Sequence, residues 1–216
     1  MVFLDFSCQH FTAFINSSRT RNTWNSREVN DRKEKFIFID RDGVINEDPI
    51  GDYVKKWEEF RFISGALEAL KQLTRAGFEI IVVSNQAGVG DGVYPESALN
   101  EITTNMVNEC KRHGIRISRV YYCLHGKTAG CDCRKPKTGL LKKASQDFSF
   151  DTRNTYFIGD KAADIQAGNT FGLRTIFVLT GHGKTDKTHL DDTRRPEQIL
   201  PSIVEATHYV LRRSHP

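Results

Sequence analysis

No run of apolar residues in this 216-residue chain approaches the roughly 20 that a membrane-spanning helix needs. A secretory start is missing too. The opening "MVFLDFSCQHFTAFINSSRTRNTWNSREVNDRKEK" has neither a basic beginning nor an uninterrupted apolar stretch. There is no internal repeat, no low-complexity tract and no block of one charge, since the net charge of +4 is spread over several segments. Nor do basic and aromatic residues interleave as a single-stranded nucleic-acid binder requires. A chain without these features is expected to be cytoplasmic, bound neither to membrane nor to nucleic acid. The 38% hydrophobic and 27% charged content that remains suits one globular domain with a sizeable core.

The first residues differ from the rest in being rich in Ser, Asn and Arg and ending in a charged run. Residues 1–33 are read as an appended, mobile segment and 34–216 as the working domain. A spread of paired cysteines, the mark of a disulfide framework, is also lacking: of five cysteines, three crowd into residues 123–133. "CLHGKTAGCDC" sets Cys123, His125, Cys131 and Cys133 as two soft pairs separated by a short glycine-bearing loop. Four such ligands can enclose one Zn²⁺ tetrahedrally and leave no open position, so the zinc would be structural. Cys110 reads as a buried helix residue, and Cys8 as unrelated.

From residue 36 onward, strand-like runs (36–39, 78–85, 117–123, 154–160, 173–179) alternate with helical patterns. One helix spans 64–76, with Ser64 as its N-cap and Gly77 as its stop. A second spans 95–113, with Pro95 at its first position. Others lie near 138–148 and 162–171, and a last one runs through "PEQILPSIVEATHYVL", interrupted at Pro201. Unbroken apolar strands alternating with helices predict an α/β fold, a doubly wound parallel sheet whose chemistry gathers beyond the strand carboxyl ends. Asp40, Ser84 and Asp160 each sit at such an end. The stretches 43–63 and 85–94 are short enough to form only loops, which predicts a minimal cap and an open site.

Four motifs then occur in order: "DRDG" after the first strand, "SNQ" after the second, "RKPK" before a helix, and "GDKAAD" after a later strand. Over about residues 36–180 the chain resembles the haloacid dehalogenase superfamily of phosphotransferases. That resemblance implies Asp40 as a nucleophile that forms an aspartyl-phosphate, and Asp42 as general acid and then base. Mg²⁺ would be held by Asp40, Asp160 and the backbone carbonyl of Asp42. Ser84 and Lys135 would contact the phosphate oxygens. Asp164 would either support the metal site from behind or simply favour its helix start. Lys161 would either add to the positive field or be solvated. Asn85, Gln86, Arg134 and Tyr53 are candidate substrate contacts, and "GHGK" at 181–184 is read as a plain turn.

The zinc loop narrows the resemblance to the branch of the heptose 1,7-bisphosphate and histidinol-phosphate phosphatases. By fixing Arg134 and Lys135 over the site, a zinc-clamped loop would avoid an ordering cost at each binding event. "GDYVKKWEEFRFISGALEALKQL" resembles the heptose group, whereas the five-residue gap from His125 to Cys131 resembles the histidinol group. "NQAGVGDG" lacks an arginine common in the heptose enzymes. The substrate expected is a small sugar bisphosphate, with histidinol phosphate as the alternative, acted on by a monomer. A non-catalytic zinc-stabilised binding module is the reading from another class; it would be marked by loss of Asp40, Asp42 or Lys135, all of which are present.

Overall fold

The computed structural model describes residues 35–49 and 51–214. The expected division at residue 33 and the reading of Cys8 therefore lie outside the described residues. Among those described, six parallel strands form one sheet in the order β3-β2-β1-β4-β5-β6. They are β1 (Lys35–Ile39), β2 (Phe78–Asn85), β3 (Ile117–Cys123), β4 (Tyr156–Gly159), β5 (Arg174–Val178) and β6 (Gln198–Leu200). Around them lie α1 (Ala66–Arg75), α2 (Ala87–Gly90), α3 (Glu96–Arg112), α4 (Gly139–Asp147), α5 (Ala162–Phe171), α6 (Gly183–Asp186) and α7 (Ile203–Ser214). The expected α/β doubly wound sheet is present. No described helix is long and apolar enough to cross a membrane.

Strand residues alternate between two cores, because successive side chains point to opposite faces. Ile37, Ile39, Ile80, Val82, Tyr122, Ile158 and Ile176 pack with α1, α3 and α7 on one side. Phe36, Phe38, Ile81, Val83, Tyr121 and Phe157 pack with α4 and α5 on the other. Burial on both faces is why these strands read as unbroken apolar runs. The chain leaves β1 toward β2 and β3, then returns to lay β4 on β1's other side. The resulting switch point puts the carboxyl ends of β1 and β4 next to each other, with Ile39 opposite Ile158.

Three local expectations are corrected. Ser64 does not cap α1: Gly65 takes that position at φ 80°, and this left-handed turn leaves Ser64 exposed outside the helix. Pro95 precedes α3 in an extended conformation (ψ 153°) rather than opening it. The final predicted helix begins only at Ile203, and its first part is β6, registered on Ile176–Val178. Three strand residues between Pro196 and Pro201 are too few to show a period, and a helix carried through Pro201 would lose a hydrogen bond. Residues 85–94 contain the single-turn α2 as well as loop.

Candidate active site and cysteine cluster

Asp40 follows β1, buried at 3% exposure, and its backbone N–H donates to Ile158 O at 2.9 Å across the switch point. Asp160 follows β4 and is fully buried. Asp164, one turn into α5, completes a trio with oxygens all within 4.8 Å of one another. Into this cluster Lys135 brings its ammonium, 2.9 Å from Asp40 Oδ1 and 2.6 Å from Asp164 Oδ1, while donating to Val83 O at 2.7 Å. Lys135 thus bridges Asp40 and Asp164, and the positive charge of Lys161 acts on Asp160. Burial, with Asp40 and Asp164 close by, pushes the Asp160 carboxyl well above its ordinary range. Burial likewise lifts Asp164 to about 6 against the opposing pull of Lys135.

One oxygen of Asp160 accepts the backbone N–H of His182 at 2.8 Å, while the other, Oδ1, is buried with no hydrogen-bond partner. An orphaned buried carboxylate oxygen beside two more carboxylates is the donor set a divalent cation fits. Glycines make the approach possible. A Cβ on Gly43 would lie 2.1 Å from Asp160 Oδ2, and one on Gly181 would lie 2.4 Å from the same oxygen. Both glycines have positive φ as well (83° and 54°).

Ser84, next to last in β2, is 2% exposed, and its Oγ accepts from Gln86 Nε2 at 3.2 Å. Asn85 does not simply face a ligand. Its amide pairs with the backbone of Lys135, donating to Lys135 O and accepting from Lys135 N, each at 3.0 Å, and so fixes the lysine's loop to β2. Gln86 departs from the expected substrate contact, being buried at 1% and donating to Asp42 Oδ2 at 2.6 Å. Asp42 also accepts from Asn46 Nδ2 at 3.0 Å and from Arg41 at 2.8–3.0 Å. Burial alone would raise its pKa, but Arg41 and the two amides reverse that and hold the carboxyl below its usual range.

A cavity of about 320 Å³ opens over these groups. Asp42, Tyr53, Asn85, Lys127, Arg134 and Lys161 are among the residues that line it. Neither the solvated reading of Lys161 nor the plain-turn reading of "GHGK" holds. Lys161 Nζ lies 3.0 Å and His182 Nε2 3.1 Å from Asp48 Oδ2, and both side chains line the cavity. Asp164 takes its helix-start role, because Oδ2 accepts the N–H of Lys161 there at 3.1 Å, while its other oxygen faces Lys135. Arg134 Nη1 is buried with no hydrogen-bond partner. Sequence reading missed Arg41, Asp48, Lys127 and His182; "GHGK", following the last predicted strand, was the one signal that could have placed His182.

The cysteine cluster forms as expected. Cys123 Sγ lies 3.6 Å from Cys131 Sγ and 3.3 Å from Cys133 Sγ, and Cys131 and Cys133 are 3.4 Å apart. His125 Nδ1 lies 3.1 Å from Cys133 Sγ and 3.7 Å from Cys123 Sγ. These separations are too long for disulfides. They approach the edges of about 3.7 Å expected for sulfurs placed tetrahedrally around zinc at about 2.3 Å. The loop is also locked to α2. Lys127 N donates to Asp91 Oδ1 at 3.2 Å, and a Cβ on Gly90 would lie 2.2 Å from Gly126 N. Cys110 is buried on α3, as expected.

With this geometry in hand, the likeness to known proteins is informative. A HAD-hydrolase-like family model matches residues 132–206. A D-glycero-alpha-D-manno-heptose-1,7-bisphosphate 7-phosphatase of Campylobacter jejuni is 38% identical over 152 residues, covering 70% of this chain and 86% of that protein. A D-glycero-beta-D-manno-heptose-1,7-bisphosphate 7-phosphatase of Neisseria meningitidis is 32% identical, covering 82% of this chain and 95% of that protein. A D,D-heptose 1,7-bisphosphate phosphatase of B. bronchiseptica, solved with magnesium and phosphate, superposes with a TM-score of 0.78 at 28% identity, covering 83% of this chain and 99% of that one. Sequence, fold and buried carboxylate cluster therefore agree: the chain is a phosphatase that belongs to the haloacid dehalogenase-like hydrolases, in the branch of these heptose bisphosphate phosphatases.

Proposed function

We propose that the enzyme removes the 7-phosphate of D-glycero-D-manno-heptose 1,7-bisphosphate. The observation that carries the choice of a bisphosphate is the second set of cations in the cavity. Lys127 and Arg134 both line it, and Arg134 Nη1 is buried without a partner. A second phosphate would satisfy them. Histidinol phosphate would instead bring an ammonium toward them, an unfavourable like-charge approach.

In the proposed reaction, a carboxylate oxygen of Asp40 attacks phosphorus as the bond to the sugar oxygen breaks, and Asp42, protonated for this step against the pull of Arg41, gives its proton to the departing oxygen. Water then attacks the aspartyl-phosphate. Asp42 takes its proton, inorganic phosphate leaves, and the Asp40 carboxylate is regenerated. Lys135 steadies the charge on the phosphoryl oxygens, with Ser84 donating to one of them. Asp40, Asp160 and the backbone carbonyl of Asp42 would hold Mg²⁺, which offsets the repulsion between carboxylates and phosphate and polarises the phosphoryl group. Cys123, His125, Cys131 and Cys133 would hold a structural Zn²⁺. The enzyme would act on this small metabolite as a cytoplasmic monomer.

The test is magnesium-dependent phosphate release from the α and β anomers of the heptose bisphosphate and from histidinol phosphate, side by side. A preference of at least about tenfold in kcat/KM for a bisphosphate anomer supports the proposal. A preference for histidinol phosphate would overturn the substrate while leaving the chemistry standing.

A further inference from the structure

Arg41 stands between the two acids of the first motif, yet its side chain turns inward and is 1% exposed. A fully buried guanidinium is costly unless its partners are well placed, and an apolar residue would fill such a position more cheaply. Its partner is Asp42. Nε and Nη2 reach Asp42 Oδ1 at 3.0 and 2.8 Å, and Nη2 reaches Oδ2 at 3.0 Å. The guanidinium also lies 5.6 Å from the Tyr122 ring, whose hydroxyl is fixed 3.0 Å from Thr103 Oγ1.

A second brace meets the first. Gln86 donates through Nε2 to Asp42 Oδ2 at 2.6 Å, and its Oε1 accepts from Arg41 Nη2 at 3.1 Å and from the Tyr94 hydroxyl at 2.6 Å. Tyr94 thereby sets which end of the amide faces the acid. The Asp42 side chain, 14% exposed on the cavity wall, is held from two directions by groups that themselves cannot reach the cavity.

We propose that Arg41 is a positioning residue, which with the Gln86–Tyr94 brace aims the Asp42 carboxyl at the oxygen that leaves phosphorus. The inference rests on the reading of Asp42 as general acid. Removing the brace misplaces that proton donor without touching Asp40, Lys135 or the carboxylate cluster. A sugar alkoxide needs the proton in order to depart, whereas p-nitrophenolate does not. The loss therefore depends on the leaving group, which a merely structural role would not produce.

The experiment measures kcat/KM, which covers every step through departure of the alcohol, for heptose bisphosphate and p-nitrophenyl phosphate. It compares wild type, Arg41→Lys, Gln86→Met, Tyr94→Phe and Asp42→Asn, each checked for folding by thermal melting. Arg41→Lys is expected to lose about 10²-fold on the sugar phosphate and less than about threefold on the aryl phosphate. Gln86→Met, the gentler variant should Arg41→Lys fail to fold, is expected to show the same discrimination at about tenfold. Tyr94→Phe should be smaller again. Equal losses on both substrates for Arg41→Lys and Gln86→Met, with Asp42→Asn discriminating, would overturn the positioning role alone. An Asp42→Asn variant equally impaired on both substrates would overturn the acid reading, and the inference with it.

Discussion

Among the described residues, the two clusters of groups that could hold a metal are built in opposite ways. Asp40 is far in sequence from Asp160 and Asp164, and they meet because the sheet reverses its winding between β1 and β4. The cluster of Cys123, His125, Cys131 and Cys133 needs no such topology, since one strand end and one loop supply it all. The first leaves an oxygen of Asp160 unsatisfied and a cavity open above it. The second closes on itself. What the fold assembles is left reactive, and what the loop assembles only holds position. Asn85, which ties the loop's Lys135 to β2, is where the two meet.

If that contrast is right, neutralising the first cluster's nucleophile should abolish chemistry with folding intact, and perturbing the second should weaken the fold with a smaller loss of activity. Asp40→Asn should reduce turnover by about 10⁴-fold or more, as losing a nucleophile does elsewhere, with an unchanged melt and zinc content. Residual turnover near wild type would remove Asp40 from its role. Lys135→Met should cost about 10²–10³-fold in kcat. Because Asp40 and Asp164 would lose their shared cation, it should also cost about 3–5 kcal/mol of stability, read by urea unfolding without magnesium. Activity falling with no loss of stability would mean that the buried ion pairs carry little.

Cys131→Ser should lower zinc content and destabilise by at least about 2 kcal/mol, with a smaller loss of activity appearing mainly in KM as Arg134 loosens. A zinc-free variant with unchanged melting temperature and KM would end the clamp argument. Deleting residues 1–33 is expected to change kcat/KM by less than about twofold, within the range of surface changes away from the site.

Much of this was legible beforehand because it is written locally. The strands of the sheet interior are continuous apolar runs with three of the motif segments at their carboxyl ends, so Asp40, Ser84 and Asp160 could be brought together from order, and Lys135 by the family resemblance. The cysteine loop was legible for the same reason. What escaped depends on tertiary contact. Nothing next to Arg41 in the chain says that it folds inward onto Asp42, because its brace comes from Gln86 and Tyr94. Gln86 read as a substrate contact since "SNQ" marks the strand end but not the direction of the side chain. His182 and Asp48 are far apart in sequence and meet only at the cavity wall. β6 escaped because its three residues, set between prolines, carry no period and are a strand only through pairing with β5.

The central claim is that Asp40 carries the phosphoryl group between substrate and water. Mixing enzyme with ³²P-labelled substrate and magnesium, quenching in acid within the first turnover and mapping the label by peptide mass analysis tests it most directly. The account predicts a hydroxylamine-labile phosphate on the peptide containing Asp40, formed and lost at rates compatible with turnover. Label on any other residue, or phosphate release at full rate with no labelled protein at any time in the first turnover, would contradict it.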